Sequence, residues 1–253
     1  MSEKDYTVPA LQRGLQILDM FDSNNRHLTL AQIAQALNVS SSSLYRIIHT
    51  LITMGFLNKI SSNTYELGSK VLSSGFSYLA SREIVELSAP FITKLRDTTS
   101  LSSHLAIREG TQCLYVFRAL ALQRLSVNVP VGTRLPCEIT AMGRALLSGL
   151  RANALEILYQ GKRFDDLPTP APQTLPDLIS QCESEYQQGC HISTSDYSIA
   201  IAVPVYGYNG DVIAAINVSG PEAIMIKADI QERLIRTLQA VSKEITTAMC
   251  GLH

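Results

Sequence analysis

The residues best suited to hydrogen-bond chemistry in this chain lie on one face of a single predicted helix. Within SSSSLYRIIHTL, apolar residues recur at the spacing that buries one side of an α-helix, at positions 44, 47, 48 and 51. The outward positions carry hydroxyl, guanidinium and imidazole groups, on Ser41, Ser42, Ser43, Tyr45, Arg46 and His49. A guanidinium can bind a phosphate or a guanine edge through two parallel hydrogen bonds. The segment is therefore a candidate surface for recognising nucleic acid.

A second set of reactive side chains consists of five cysteines and two of the histidines. The cysteines stand at positions 113, 137, 182, 190 and 250, and the histidines are His104 and His191. The sequence has no CxxC spacing, nucleophile elbow, P-loop or dinucleotide-binding motif. We therefore expect no catalytic residue, no metal and no cofactor, and a reducing compartment. A cysteine-based enzyme or metal sensor stays open as an alternative, which metal analysis of the purified protein would decide.

Two short helices and a turn must position the polar face. Leu30, Ile33, Ala34 and Leu37 mark the first helix, and Asn38–Ser40 forms a polar turn whose serines offer helix caps. This layout predicts a helix-turn-helix, whose second helix lies in the major groove of DNA. On this segment alone, an ordinary helical hairpin in a globular core is the competing interpretation.

The flanking segments favour DNA binding. Upstream, PALQRGLQILDMF predicts a third helix with Leu11, Leu15, Leu18 and Phe21 on one face. Downstream, Phe56–Ile60 and Thr64–Leu67 predict two strands joined by a polar turn. Three helices followed by a hairpin make a winged helix. Lys59 and Asn63 near the hairpin tip would then contact the phosphate backbone or the minor groove.

The charge balance limits how this segment could bind DNA. The chain of 253 residues has a net charge of −1, and residues 1–70 contain six Lys or Arg against five Asp or Glu. Bulk attraction to nucleic acid is therefore excluded, and we expect two or more modules to share an operator. An interaction module that has lost DNA affinity is the alternative.

Beyond the hairpin, the sequence pattern predicts both helices and strands. It predicts a linker helix at 69–82, a break before Pro90 that starts a new helix, and strands at 103–108, 112–118 and 124–129. Further helices are expected at 140–149, 151–160, 175–188 and 228–250, with strands at 190–195, 198–206 and 212–219. A winged helix followed by helices and an antiparallel sheet is an α+β arrangement. The start, MSEKDYTVPA, lacks the apolar core of a signal peptide, so we expect a cytoplasmic protein.

Several strings, taken in order, resemble the IclR family of bacterial transcription regulators along nearly the whole chain. They are PALQRGLQILDMF, VSSSSLYRIIHTLITMGFL, ELSAPFITKLRDTTSLSSHLAIREG, RLPCEITAMGRALLSGL and AIAVPVYGYNGDVIAAINVSGP. The resemblance implies a winged helix-turn-helix at 1–68, a linker helix at 69–82, and a GAF-like effector-binding domain with a six-stranded antiparallel sheet at 83–253. It also implies a repressor-like regulator that forms homodimers or homotetramers on pseudo-palindromic operator DNA. The family often has a lysine where this chain has Ser41, so a base preference is not transferred.

An effector site is expected after Pro136. Thr140 is a candidate N-cap, and open N–H groups at a helix start attract carboxylates, although Gly143 and Ala145 could simply allow close helix–sheet packing. The resemblance implies that Ala141 and Met142 border a small organic acid. It also implies that the site is completed from the sheet, by Cys190 or His191, Ala200, Asn217 and Ser219.

Overall fold

The chain folds into two units, Met1–Ser81 and Arg82–His253. The computed structural model describes residues 6–122, 127–164, 167, 170–195 and 197–251. None of the helices in these ranges is long and apolar enough to cross a membrane.

The first unit contains four helices and a small sheet. Its elements are α1 Pro9–Asp19, β1 Leu28–Thr29, α2 Leu30–Ala36, α3 Ser41–Thr53, β2 Leu57–Lys59, β3 Thr64–Leu67 and α4 Ser69–Ala80. The three strands pair antiparallel in the order β1-β3-β2. Asn38 adopts a left-handed conformation, with φ of 52°, which turns the chain sharply between α2 and α3. The winged helix expected from the sequence is therefore present.

The core of this unit is built from the helix-turn-helix and the residues that cover it. Ile17 of α1, Ile33 of α2, Leu44 and Ile48 of α3, and Leu57 of β2 are buried together. Burial of such side chains stabilises the unit by roughly 1.5–3 kcal/mol each. The helix-turn-helix is thus a packed element that holds the outward face of α3 in place.

Only part of the apolar face predicted for α1 is buried. Leu11 and Leu15 are 62% and 55% exposed, whereas Gly14 and Ile17 are buried. The two stripes are adjacent on the same helix, and Gly14 faces α3, where a Cβ would lie in ordinary contact with Ile47, at 3.6 Å. Leu11 and Leu15 therefore stay on the surface and line an apolar groove, whereas Phe21 is buried and Leu18 half-buried.

The second unit is built on one six-stranded sheet. Its strands are β4 Ser102–Glu109, β5 Gln112–Ala119, β6 Arg134–Pro136, β7 His191–Ser195, β8 Ser198–Tyr206 and β9 Val212–Pro221. All pairs are antiparallel, in the order β6-β5-β4-β9-β8-β7. The helices are α5 Glu83–Thr99, a 3₁₀ turn at Cys137–Ile139, α6 Ala141–Leu147, α7 Ala152–Leu158, α8 Leu175–Gln188, α9 Glu222–Met225 and α10 Ala228–Cys250.

Two predicted elements of this unit are corrected by the structure. Pro90 lies inside α5 and does not begin a helix. Ile84, Ser88, Ile92 and Leu95 form one continuous buried stripe along α5, and its packing outweighs the hydrogen bond lost at the proline.

The other correction concerns the strand predicted at 124–129. Residues 124–126 lie outside the described residues, and 127–129 belong to no strand. The chain turns at Pro130–Thr133, where Gly132 takes a φ of 91° and Gly132 and Thr133 exchange backbone hydrogen bonds with Tyr115 of β5. The paired strand β6 begins at Arg134.

Candidate DNA interface and effector site

Helix α3 presents the predicted polar face to solvent. Leu44 and Ile48 are buried against the unit. The six predicted contact residues are all exposed, namely Ser41, Ser42, Ser43, Tyr45, Arg46 and His49. The rings of Tyr45 and His49 lie 6.5 Å apart, one turn along the helix, and form a single surface patch. The sequence pattern therefore identified the exposed face of this helix.

The serines at the start of α3 have different roles from one another. Ser43 donates its hydroxyl proton to the carbonyl of Ser40 at 2.7 Å, so toward a partner it can only accept. Ser40 and Ser42 are joined through their hydroxyls at 3.1 Å, and Ser40 makes no side-chain cap on α3. The prediction that a serine side chain caps this helix is wrong. Within the helix-turn-helix, the side-chain cap that forms is on α2, where Thr29 and Gln32 make a capping box.

The wing supplies a second exposed polar surface. Lys59, at the end of β2, and Asn63, in the turn, are both exposed. The carbonyl of Asn63 accepts a bond from the N–H of Leu30 at 3.2 Å, which fastens the wing to the start of α2. Among the described residues, no ion pair involves Arg46 or Lys59, so both cations are free to meet phosphate.

Strand pairing in the second unit places the predicted effector residues on one face of the sheet. Asn217 of β9 lies between His104 of β4 and Ala202 of β8, and Ala202 in turn pairs with His191 of β7. We call these four residues the first row. His104 was not predicted as a residue of the effector site, because the alternation of side chains within a strand does not reveal which strand lies beside it.

A second row lies two residues further along each strand, on the same face. It consists of Ser102, Ser219, Ala200 and Ser193. Ser219 is buried and Ala200 is half-buried. The structure therefore brings Asn217, Ser219 and Ala200 together, as expected, and adds a histidine and two serines beside them.

The start of α6 lies against this second row. Thr140 caps α6 by accepting from the N–H of Gly143 at 3.0 Å, as predicted. The N–H of Ala141 donates to the hydroxyl of Ser193 at 3.3 Å, and both Ala141 and Met142 are buried. The backbone N–H groups of Ala141 and Gly143, which we expected to be open for a ligand, are therefore already bonded within the protein.

Cys190 and His191, the two alternative candidates for an effector contact at this point of the chain, occupy different environments in the structure. Cys190 is buried just before β7, and its N–H donates to the carbonyl of Glu185 at 3.3 Å. His191 occupies the first row and also lines an open cavity of about 300 Å³ beside the sheet. The other polar residues of this cavity include Gln239 and Lys243 of α10. Its volume is at the lower end for small-molecule sites.

A buried ionic cluster joins α6, α8 and β7 behind these rows. Arg144 makes two bonds to the carboxylate of Glu185, at 2.7 and 2.8 Å, and a third to the carbonyl of Ile192 at 2.6 Å. His191 also bonds Glu185 at 2.9 Å. Burial by itself would raise the pKa of Glu185, but the bonds from His191 and Arg144 outweigh it and lower that pKa to about 2. The cluster fixes the position of β7 relative to α6.

Four of the five cysteines are core residues, and Cys250 is exposed. Cys113, Cys137, Cys182 and Cys190 are all buried, and burial raises the pKa of Cys137 and Cys182 to about 12. A thiol needs to ionise to act as a nucleophile or metal ligand, so these positions disfavour both roles. Among the described residues, no cluster of histidine, cysteine and carboxylate side chains could hold a metal ion.

Comparison with known protein families gives two matches that together cover most of the chain. Residues 10–60 match the IclR helix-turn-helix domain, and residues 76–247 match the C-terminal domain of bacterial transcriptional regulators of the IclR type. The two matched ranges contain the exposed face of α3 and the two rows of the sheet, respectively.

Individual proteins agree with this result. The Pca regulon regulatory protein of Pseudomonas putida is 32% identical over 249 residues, which are 96% of this chain and 84% of that protein. The crystal structure of a protein described as a transcriptional regulator from Rhodococcus sp. RHA1 has a TM-score of 0.85 and 27% identity, covering 98% of this chain and 100% of that one. An IclR homolog from Microbacterium hydrocarbonoxydans, solved with 4-hydroxybenzoate, shares the fold with a TM-score of 0.78 at 20% identity, over 95% and 98% of the two chains.

Proposed function

Because this chain belongs to the IclR family of bacterial transcriptional regulators, we propose that it is a one-component regulator whose first unit binds operator DNA and whose second unit binds a small organic acid. The observation that carries the DNA half of the proposal is the exposed face of α3. Buried Leu44 and Ile48 anchor that helix, and its outward side chains are those that contact bases and phosphates.

We assign the contacts within the DNA interface by chemistry. Arg46 and His49 are the base-reading candidates, with Tyr45 beside them, and Ser41 and Ser42 contact backbone phosphate near the start of the helix. Ser43, whose hydroxyl can only accept, takes a hydrogen bond from a base amino group. Lys59 and Asn63 of the wing contact phosphate or the minor groove. Functionally, we divide the chain into a DNA-binding segment 1–68, a linker helix 69–82 and an effector-binding segment 83–253, and we place the regulator in the cytoplasm, with its DNA.

We propose that the protein acts as a dimer, with α4 as the main seam. No residue of α4 is buried within the first unit, and Leu72 and Phe76 are each 62% exposed on one side of the helix. Leu11 and Leu15 add apolar surface along a groove of about 690 Å³ between α1 and α3. Exposed apolar surface of this extent marks an interaction site. A two-fold dimer reads a pseudo-palindromic operator, and two dimers would form the tetramer.

We propose that the effector lies between the start of α6 and the two rows of the sheet. The residues assigned to it are Thr140, Ala141, Met142, Cys190, Ala200, Asn217 and Ser219. Pairing of Asn217 and Ser219 with alanines of β8 supports this choice, because small side chains leave room beside polar ones. The 4-hydroxybenzoate bound to the Microbacterium homolog supports an organic acid as the ligand class.

A second candidate function is a protein-interaction module without DNA affinity. The nearly balanced charge of residues 1–70 favours it, because phosphate contacts need cations. A cysteine-based enzyme is disfavoured by the burial and raised pKa values of Cys137 and Cys182.

One experiment separates these functions. The full-length protein is titrated into DNA from its own promoter region at several salt concentrations, and then into the same DNA with a panel of small organic acids. A regulator binds with an affinity that falls as salt rises, and one of the acids changes the affinity. An interaction module shows no sequence-dependent shift at any salt concentration. Thermal denaturation with the same acids identifies the ligand independently, because ligands that bind only the folded form stabilise it.

A further inference from the structure

Two polar atoms on the sheet face described above are buried without a hydrogen-bond partner among the described residues. They are Nε2 of His104, whose side chain is fully buried, and the hydroxyl oxygen of Ser219, which is 2% exposed. A buried polar group without a hydrogen-bond partner destabilises the fold, so such groups usually mark a site that something else completes. The two residues are diagonal neighbours on paired strands, within reach of one bound molecule.

The protonation of His104 follows from its other contacts. Oδ1 of Asn217 accepts the backbone N–H of His104 at 3.1 Å, so this oxygen is an acceptor. The ring Nδ1 of His104 lies 3.0 Å from the same oxygen and must therefore be the protonated nitrogen. In the neutral ring, Nε2 then carries a lone pair and can only accept a hydrogen bond.

The neutral state of the ring is favoured by its surroundings. Burial, together with the charge of Arg118 on β5, outweighs the bond to Asn217 and lowers the pKa of His104 to about 4. The Tyr115 ring stands edge-on at 5.6 Å and supplies no charge, because burial raises the pKa of its phenol. A carboxylate, which only accepts, would therefore find no donor at Nε2.

A hydroxyl group satisfies both unpartnered atoms at once. It has one proton to donate to Nε2 and two lone pairs, one of which can accept the proton of Ser219. An ammonium could donate to both atoms but does not belong to an acid, and a carboxylate accepts but cannot donate to Nε2. We propose that the effector is a hydroxy acid whose hydroxyl donates to Nε2 of His104 and accepts from the hydroxyl of Ser219. This inference rests on the proposed effector function and makes His104 a determinant of ligand specificity.

Matched pairs of acids test the proposal on the full-length protein. Isothermal titration compares 4-hydroxybenzoate with benzoate and glycolate with acetate, so that each pair differs by one hydroxyl. We expect at least one hydroxy acid to bind about tenfold more tightly than its partner, as one well-made hydrogen bond at a buried site predicts. His104→Phe removes the acceptor and keeps a ring beside Tyr115, so the preference should fall to within twofold. His104→Gln supplies an acceptor oxygen and should recover part of the preference for the hydroxy acid.

Ser219→Ala provides a second variant, which removes only the hydroxyl and keeps the site testable if His104→Phe fails to fold. It should also reduce the preference for the hydroxy acid. Equal affinity within both pairs in the unaltered protein, or a preference that survives in His104→Phe and in Ser219→Ala, would overturn the hydroxyl requirement and leave the effector proposal standing. If no acid binds and none alters operator binding, both proposals fail, while salt-dependent operator binding measured in parallel still supports a DNA-binding protein.

Discussion

Arg46 is the single side chain whose removal tests DNA recognition most directly. It is exposed on α3 and has no ion-pair partner among the described residues. If it contacts a guanine through two hydrogen bonds, Arg46→Ala should cost about 1–3 kcal/mol per module and relax one operator position. If it contacts phosphate, affinity should fall evenly over all sequences and the salt dependence should weaken. Binding isotherms on an operator and its single-base variants distinguish the two.

A matched control for this change is Arg151→Ala, which removes another exposed guanidinium, from the residue that precedes α7. It alters the net charge by the same amount and should leave operator affinity unchanged. Unchanged affinity in Arg46→Ala as well would remove this residue from the interface.

The lowered pKa of Glu185 predicts that acid destabilises the second unit. This pKa is about 2 in the folded protein, against 4.5 for an unperturbed glutamate side chain, which serves as the value in the unfolded chain. Ionised Glu185 therefore contributes on the order of 3 kcal/mol to the free energy of unfolding. This contribution is complete above about pH 4.5 and is lost as the pH falls toward 2. Urea denaturation followed between pH 6 and pH 3 should show a falling free energy of unfolding. Glu185→Gln should be less stable at pH 6 and should show a shallower pH dependence, whereas an equal slope in both proteins would contradict the assignment.

Single residues also show what sequence could and could not predict. The outward face of α3 was predictable because helical periodicity depends only on the chain itself. His104 was not recognised as a partner of Asn217, because the two are 113 positions apart and only the pairing of β4 with β9 brings them together.

At the level of elements, α4 provides the test of assembly. Leu72→Glu and Phe76→Glu place charges on its exposed apolar side, where a partner helix would have to bury them. We expect both variants to dissociate at concentrations where the unaltered protein is dimeric and to lose operator affinity by more than tenfold. Sedimentation velocity and operator titration measure the two effects.

Ser74→Glu is the control for α4, because position 74 lies on the opposite side of the helix and is also exposed. It should change neither property. A dimer that persists in both glutamate variants would place the seam elsewhere, and the groove lined by Leu11 and Leu15 would be the next surface to test.

Most helices and strands matched their predicted ranges, including α8, β8 and α10. Local periodicity and turn residues determine such elements. The errors at Pro90 and on α1 have a common cause, since both depend on which side of a helix is covered by another element. A stripe of apolar residues indicates a helix, but packing partners decide whether that stripe is buried.

For the whole molecule, regulation requires that the ligand and the operator influence each other's binding. Ala141→Leu inserts a larger side chain at a buried position beside the second row. We expect this variant to bind operator normally and to lose its response to the effector. Overpacking can cost about 1–3 kcal/mol, so thermal denaturation must accompany the two titrations.

Ala152→Leu makes the same change at an exposed position of α7 and should keep the full response. A normal effector response in Ala141→Leu would place the ligand elsewhere, with the open cavity beside His191 as the alternative location.

The alanines on the sheet face have a consequence for how this protein could change over evolutionary time. Ala106, Ala200, Ala202 and Ala215 lie around Asn217 on β4, β8 and β9. Each can be enlarged by a single codon change to valine, which fills space without altering a backbone hydrogen bond or any residue of α3. If the effector binds on this face as proposed, new ligand preferences are accessible in small steps while the set of controlled genes stays the same. The same scaffold would in this way supply regulators for chemically different ligands.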